Sequence, residues 1–257
     1  MTGPVDTESP VATTTVALAV ENVSIEFGRV KALSNVTIEV AEHAVVGVIG
    51  PNGAGKSTLM AVIGGQAVPS TGSVRLYDRD ITALGATARA HLGLRRTFQS
   101  LELFDAMSVR DNVLVAAGRS TAPGEGRRRG SRTADEVSEL LEQMDLAKYR
   151  YAPVQSLSAP LRRIVSYCRA IVGRPRCVLL DEPAAGLSEY ERQSLAERIR
   201  KDAADRGHAL VVVEHDMGFV RNLCHTIYAL DAGETIARGT FDEIAADPVV
   251  RKAYLGE

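Results

Sequence analysis

Cysteine is scarce in this chain: there are three, Cys168, Cys177 and Cys224, an odd number with no C-x-x-C pair. That speaks against a disulfide framework or a thiolate metal cage and suits a reducing cytoplasm. The five histidines form no H-x-x-x-H pattern. An excess of one charge is also missing. Thirty Lys and Arg against 32 Asp and Glu leave a net charge of −2, which gives no global electrostatic case for nucleic acid. No apolar run approaches the roughly 18 residues needed to cross a bilayer. The longest candidates, Val45 to Ile49 and Leu210 to Val213, have the length of buried strands. Met1 to Thr15 carries Asp6 and Glu8 without an apolar segment, so it is read as a disordered polar tail over 1–15 and not as a signal peptide.

With 257 residues, 45% of them hydrophobic, the chain can bury one sizeable core and carry a smaller inserted lobe. Val16, Leu18 and Val20, then Val23, Ile25 and Phe27, alternate with a single phase shift, and Val36, Ile38 and Val40 repeat the alternation after a turn at Gly28. This predicts half-buried antiparallel sheet. Val45 to Ile49, Cys177 to Leu180 and Leu210 to Val213 are near-continuously apolar, as strands covered on both faces are, and a helix containing Leu195 and Ile199 links the last two, which implies a parallel sheet. Ser108 with Asp111, Thr133 with Glu136, and Thr240 with Glu243 read as helix starts; Pro248 sits near the start of a last helix. Gly118 to Arg132 is predicted to be a mobile surface loop whose basic run faces solvent. The expected fold is α/β: a P-loop core over about 16–99 and 166–235 with an antiparallel β part, a helical subdomain over about 100–165, and a helical tail over about 236–257.

Gly50, Pro51, Asn52, Gly53, Ala54, Gly55, Lys56 and Ser57, followed by Thr58, complete the G-x-x-x-x-G-K-S pattern between a buried strand and a helix. Gly53 and Gly55 let backbone N–H groups turn toward phosphate oxygens, and the helix start favours an anion. Lys56 supplies a compact positive charge for the β- and γ-phosphates, and the Ser57 hydroxyl can ligate Mg²⁺. Cys177 to Asp181 is an apolar strand ending in a carboxylate. There Asp181 would hold Mg²⁺ through water, and Glu182 would polarise the attacking water as general base. His215 follows a third such strand and could bond the γ-phosphate or hold the Glu182 water. His43, His91, His208 and His225 read as structural. Gln99, where core gives way to lobe, can contact Mg²⁺ or the water and report the γ-phosphate to the lobe.

In this order the P-loop, Gln99, Leu157-Ser158, Asp181-Glu182, Gly186-Leu187 and His215 resemble the nucleotide-binding subunits of ABC transporters over nearly the whole chain after residue 15. Arg96-Thr-Phe-Gln, Asp181-Glu-Pro-Ala-Ala-Gly-Leu187, Val213-Glu-His-Asp-Met217 and Ala253-Tyr-Leu-Gly-Glu257 are most similar to the ATPases of branched-chain amino acid importers, with urea and lipopolysaccharide transport ATPases similar in places. The resemblance implies an ATPase that uses ATP and Mg²⁺, in head-to-tail dimers whose nucleotides lie between one P-loop and the partner's signature segment. It implies an aromatic that stacks on adenine, with Phe27 the candidate, although packing in its own strand would explain that ring too. It also implies transmembrane permease subunits, a periplasmic or lipid-anchored solute-binding protein reached indirectly, no nucleic acid, and a cytoplasmic place on the inner face of the cell membrane. Gln99 and Asp181 are 82 positions apart, which leaves no room for the coiled coils of chromosome or repair ATPases.

One departure stands out. Where that family has Leu-Ser-x-Gly-Gln, this chain has Leu157-Ser158-Ala159-Pro160-Leu161. Ser158 suits an N-cap and proline is tolerated in a first helical turn, so the helix is expected to form. Pro160 has no N–H for a phosphate and brings a ring where close backbone approach is expected. Because this segment would complete the partner's site, the reading is an obligate heterodimer with one consensus and one weakened site; Ser188, where the family has Asp or Asn, points the same way. The alternative is a weakly hydrolysing regulatory subunit.

Overall fold

The computed structural model describes residues 15–117 and 129–255, apart from the side chains of 129–132 and 255. The expected polar tail lies outside these residues except for Thr15, as does most of the expected 118–132 loop.

The first strands form a long hairpin. β1 (Val16–Phe27) and β2 (Val30–Ala41) pair antiparallel around Gly28, whose φ of 64° is left-handed. The phase shift in the apolar pattern is a bulge: the register slips between Val20 and Val23, Asn22 takes a φ of 50°, and Val23 and Ile25 return to the buried face. β4 (Thr71–Leu76) pairs with the other edge of β1, and the short β5 (Arg79–Asp80) completes this sheet.

The second sheet has the order β10-β9-β3-β8-β7-β6. β3 (Val45–Ile49), β6 (Leu94–Arg96), β7 (Cys177–Asp181), β8 (Ala209–Val213) and β9 (Thr226–Asp231) are parallel, and β10 (Glu234–Gly239) joins β9 antiparallel. The apolar runs divide by the two-residue period of a strand. Val46 and Val48, Cys177 and Leu179, and Val211 and Val213 pack with the antiparallel sheet and α1 (Lys56–Gly64). Val178 and Leu180, with Leu210 and Val212, pack on the other face. There they meet α3 (Val109–Ala117), α4 (Arg129–Gln143), α5 (Ala159–Ile171) and α6 (Glu189–Arg206). Each aliphatic side chain so buried contributes about 1.5–3 kcal/mol. The remaining helices are α2 (Ala86–His91), α7 (Met217–Leu223), α8 (Phe241–Ala246) and α9 (Pro248–Leu255).

The predicted helix starts at Ser108 and Thr240 form, each with the acid three residues on bonded to its cap. Three expectations change. α4 (Arg129–Gln143) already includes the end of the expected loop, so Thr133 lies four residues inside the helix rather than at its start, and Glu136 accepts from Gly173 N–H. Residues 234–239 are strand, so the helical tail begins at Phe241 rather than near 236; Ala232 and Gly233, both at positive φ, form the tight turn that pairs β10 with β9. Phe27 is 56% exposed, so packing in its strand does not explain it.

Two buried polar groups carry measurable stability. Arg89, 1% exposed, donates to the carbonyls of Val62 and Ile63 in the last turn of α1 and to those of Leu84 and Thr82. Its loss takes a donor from four buried or part-buried carbonyls, of which only that of Val62 keeps another among the described residues, the Gly65 N–H, so Arg89→Ala is expected to cost about 3 kcal/mol in urea unfolding. His208, 2% exposed, lies 3.2 Å from the Tyr167 hydroxyl, which donates to Asp202; Arg206 bonds the same carboxylate. Burial first, and then Arg206, lowers the His208 pKa from 6.5 to about 4. The unfolded chain therefore takes up a proton that folded His208 refuses, and stability falls as pH drops from 6.5 toward about 4. Burial raises the Asp202 pKa, which opposes part of this loss. Unfolding titrations should show a fall of up to about 3 kcal/mol across that window, flattened by His208→Gln.

Candidate active site

β3 delivers the chain into Gly50 against the backbone of Leu230 on β9, where no Cβ would fit. Gly55, at φ 101°, is the N-cap of α1, and an added Cβ would stand 2.8 Å from the Ala32 carbonyl. Between them Asn52 and Gly53 are exposed, Pro51 is half-buried and Ala54 is buried; Ser57 is exposed and Thr58 half-buried at the helix start. Lys56 is buried and crosses the loop to donate to the carbonyls of Gly50 at 2.7 Å and Pro51 at 2.8 Å. Burial lowers its pKa and the nearby Glu182 charge raises it. An ammonium has three donors, so one remains to face a phosphate.

Parallel pairing sets the strand ends beside this loop. Asp181 ends β7 opposite Val213 of β8, and Val213 is opposite Val48 of β3. One residue on, Glu182 turns into the left-handed region at φ 46°, held by its N–H on the Val213 carbonyl at 2.9 Å. The Gln99 amide donates to Glu182 Oε2 at 2.7 Å, and His215 Nε2 lies 3.0 Å from Oε1. Three residues singled out in the sequence thus meet at one carboxylate.

Asp181 is less free than its motif suggested: Arg96 Nη2 donates to its Oδ2 at 2.8 Å, with both side chains largely buried. Glu214, 3% exposed, accepts from the N–H groups of Ala184 and His215, while burial pushes its pKa up. Sequence reasoning assigned neither Arg96 nor Glu214 a role. Arg96 stood in the quoted Arg-Thr-Phe-Gln segment and Glu214 beside His215, so adjacency to the motif residues was the available signal. Phe27 pairs with Val30, two residues before Ala32 and its contact with Gly55, which sets the exposed ring about 7 Å of strand from the loop's edge.

Ser158 is the N-cap of α5 with Ala159 and Pro160 in the first turn, as expected, but its hydroxyl makes no cap bond. Among the described residues, no hydrogen bond or ion pair joins Ser158, Ala159 or Pro160 to residues 50–58. The arrangement within one chain is thus a glycine-rich loop at a helix start, a cation, and an acid gripped by an amide and an imidazole, with no hydrogen bond or ion pair from residues 158–160 to that loop among the described residues.

Comparison with known proteins bears on this geometry. The family model described as ABC transporter matches residues 33–185, and that described as branched-chain amino acid ATP-binding cassette transporter matches residues 234–257. The chain is 34% identical over 249 residues to the high-affinity branched-chain amino acid transport ATP-binding protein LivG of Salmonella typhimurium, covering 93% of this chain and 98% of LivG. It is 35% identical over 251 residues to BraF of Pseudomonas aeruginosa, of the same description, again covering 93% and 98%. The ADP conformation of an ATP-binding cassette of an ABC transporter superposes with a TM-score of 0.82 at 30% identity, covering 95% of this chain and all of that one. The chain belongs to the ATP-binding cassette family of ABC transporters, in the branch of the branched-chain amino acid importers, and is an ATPase.

Proposed function

We propose that this chain powers import of branched-chain amino acids or related small polar solutes, as one half of an asymmetric ATPase dimer on the inner face of the membrane. The observation that carries the reading is the grip of Gln99 and His215 on Glu182 beside the Lys56 loop. A carboxylate held by both oxygens is aimed rather than mobile, which suits a general base for the water that attacks the γ-phosphate. Residues Gly50 to Thr58 cradle the phosphates, and Phe27 lies against the adenine. Ser57, Gln99 and Asp181 would hold Mg²⁺. The fit is good: the Ser57 hydroxyl and the Gln99 side-chain Oε1 make no hydrogen bond to a described residue, Asp181 keeps Oδ1 clear of Arg96, and all three are hard oxygen donors. When bound, Mg²⁺ offsets charge on the β- and γ-phosphates.

The partners follow from surfaces. A cavity of about 440 Å³ is lined by Phe98, Leu101, Phe104, Val115, Arg95 and Arg169; Phe98 and Phe104 are 37% and 46% exposed. It suits a short helix of a transmembrane permease subunit, whose own partner is the solute-binding protein. Residues 100–165 act as the lobe that supplies Leu101, Phe104 and Val115 to this surface, the core and α5 supplying the rest. Among the described residues no helix is long and apolar enough to cross a membrane, so attachment would be peripheral.

Asymmetry rests on Pro160. The signature helix lent to the partner starts with a residue that cannot donate to phosphate, and a hydrogen bond to a charged group is worth about 1.5–3 kcal/mol. The chain alone is therefore expected to hydrolyse ATP slowly, and turnover to appear on mixing with a consensus ATPase subunit and to vanish, by about a hundredfold or more, in Glu182→Gln. In the chain alone, Pro160→Gly with Leu161→Gln should raise turnover about ten- to a hundredfold. Full turnover by the unmixed wild-type chain would overturn the asymmetric reading. Silence in every mixture would favour a regulatory subunit.

A further inference from the structure

Arg163 enters the turn after β7 from α5. Its Nη2 donates to the carbonyl of Ala185 at 2.8 Å, and its Nη1 lies 3.4 Å from the carbonyl of Gln99 and 3.5 Å from that of Glu182. One planar guanidinium therefore faces the main chain of both Gln99 and Glu182, whose side chains bond each other. Desolvation weakens its charge, and the carboxylates of Glu214 and Glu182 support it. Glu214 grips the same turn from the other side through the Ala184 N–H. Glu182 needs such holding, because a non-glycine residue at φ 46° persists only where its surroundings over-determine it.

The origin of this arginine gives the contact its meaning. Arg163 stands on the helix capped by Ser158, about 7 Å along the axis from that cap, so a rigid displacement of the segment displaces the guanidinium too. Its neighbour Arg162 faces elsewhere, paired with Asp105 at 2.6 Å.

We propose that Arg163 is a positioning residue that ties the helix lent to the partner's nucleotide to the turn carrying this chain's own Glu182, so that closure of one composite site sets the base of the other. This rests on the reading of Glu182 as general base and of residues 158–160 as the segment that meets the partner's nucleotide.

The test compares Arg163→Met, Arg163→Lys, Arg162→Met and Glu182→Gln. The ATPase pair formed with a consensus subunit is used for turnover, and the chain alone for nucleotide binding, thermal midpoint and hydrogen exchange. Arg163→Met should lower kcat about ten- to a hundredfold with the KM for ATP nearly unchanged. It should also speed amide exchange over 182–187 while leaving 50–58 and the thermal midpoint as in the wild type. Arg163→Lys should recover part of kcat, since an ammonium reaches fewer of the three carbonyls, and Arg162→Met should behave as wild type. Wild-type kcat in Arg163→Met while Glu182→Gln is silent would overturn the link and leave the base assignment standing. Equal loss of kcat, ATP binding and thermal midpoint would overturn it as well, by showing that Arg163 only holds the lobe together. Normal turnover in Glu182→Gln would remove the base assignment, and the link with it.

Discussion

Leu179 stands opposite Arg96, Asp181 opposite Val213, and Val213 opposite Val48, across four adjacent parallel strands. This register governs what lies beyond the strands. It brings the P-loop, Asp181, His215 and the approach to Gln99 to one edge of the sheet, where side chains from distant parts of the chain can touch. A slip by one residue would turn every side chain of a strand to the opposite face. Such a slip is resisted by both cores at once, because Val178, Leu180, Leu210 and Val212 pack one way and Cys177, Leu179, Val211 and Val213 the other. The hydrophobic division of the strands and the alignment of the site are therefore one constraint.

Charge at that edge is balanced locally. Asp181 is met by Arg96, Glu182 lies near Lys56, and Glu214 lies near Arg163. Burial costs Lys56, Arg163 and Glu214 hydration, and in each case a neighbouring charge or a backbone bond opposes that cost. The consequence is a rigid crest in which the left-handed Glu182 is braced by Val213, Gln99, His215 and Arg163. On the proposed reading, a nucleotide at Lys56 would meet groups already aimed, and preorganised dipoles are what stabilise charge developing in phosphoryl transfer. At the start of α5 the reverse holds. Ser158 makes no cap bond through its hydroxyl and Pro160 has no N–H, so the first turn of α5 is sparsely equipped with donors compared with the crest at Glu182.

Much of this was legible in advance, and the particular elements show why. The phase shift between Val20 and Val23 was visible in the alternation, and the structure accommodates it with a bulge that keeps both residues buried. Ser108 with Asp111 and Thr240 with Glu243 announced helix starts because a cap needs only its own neighbours. Thr133 with Glu136 had the same spelling and misled, since Glu136 is engaged by Gly173, 37 positions away. The hairpin at Ala232 and Gly233 was missed because only the backbone angles show that both residues lie at positive φ. Arg89, Arg96 and Arg163 were invisible for a related reason: an arginine that holds carbonyls or a buried acid is spelled like one on a solvated face.

The sequence by itself determined where the buried strands end, which chemistry stands at each end, and that the signature segment is altered, because alternation, glycine-rich loops and caps are relations between near neighbours. Only the tertiary structure decided that Gln99 and His215, 83 and 33 positions from Glu182, close on its two carboxylate oxygens, and that Arg96 pairs with Asp181 across 85 positions. Hydrogen bonds of that kind depend on strand register and side-chain rotamer together, and these are settled only when both cores are packed.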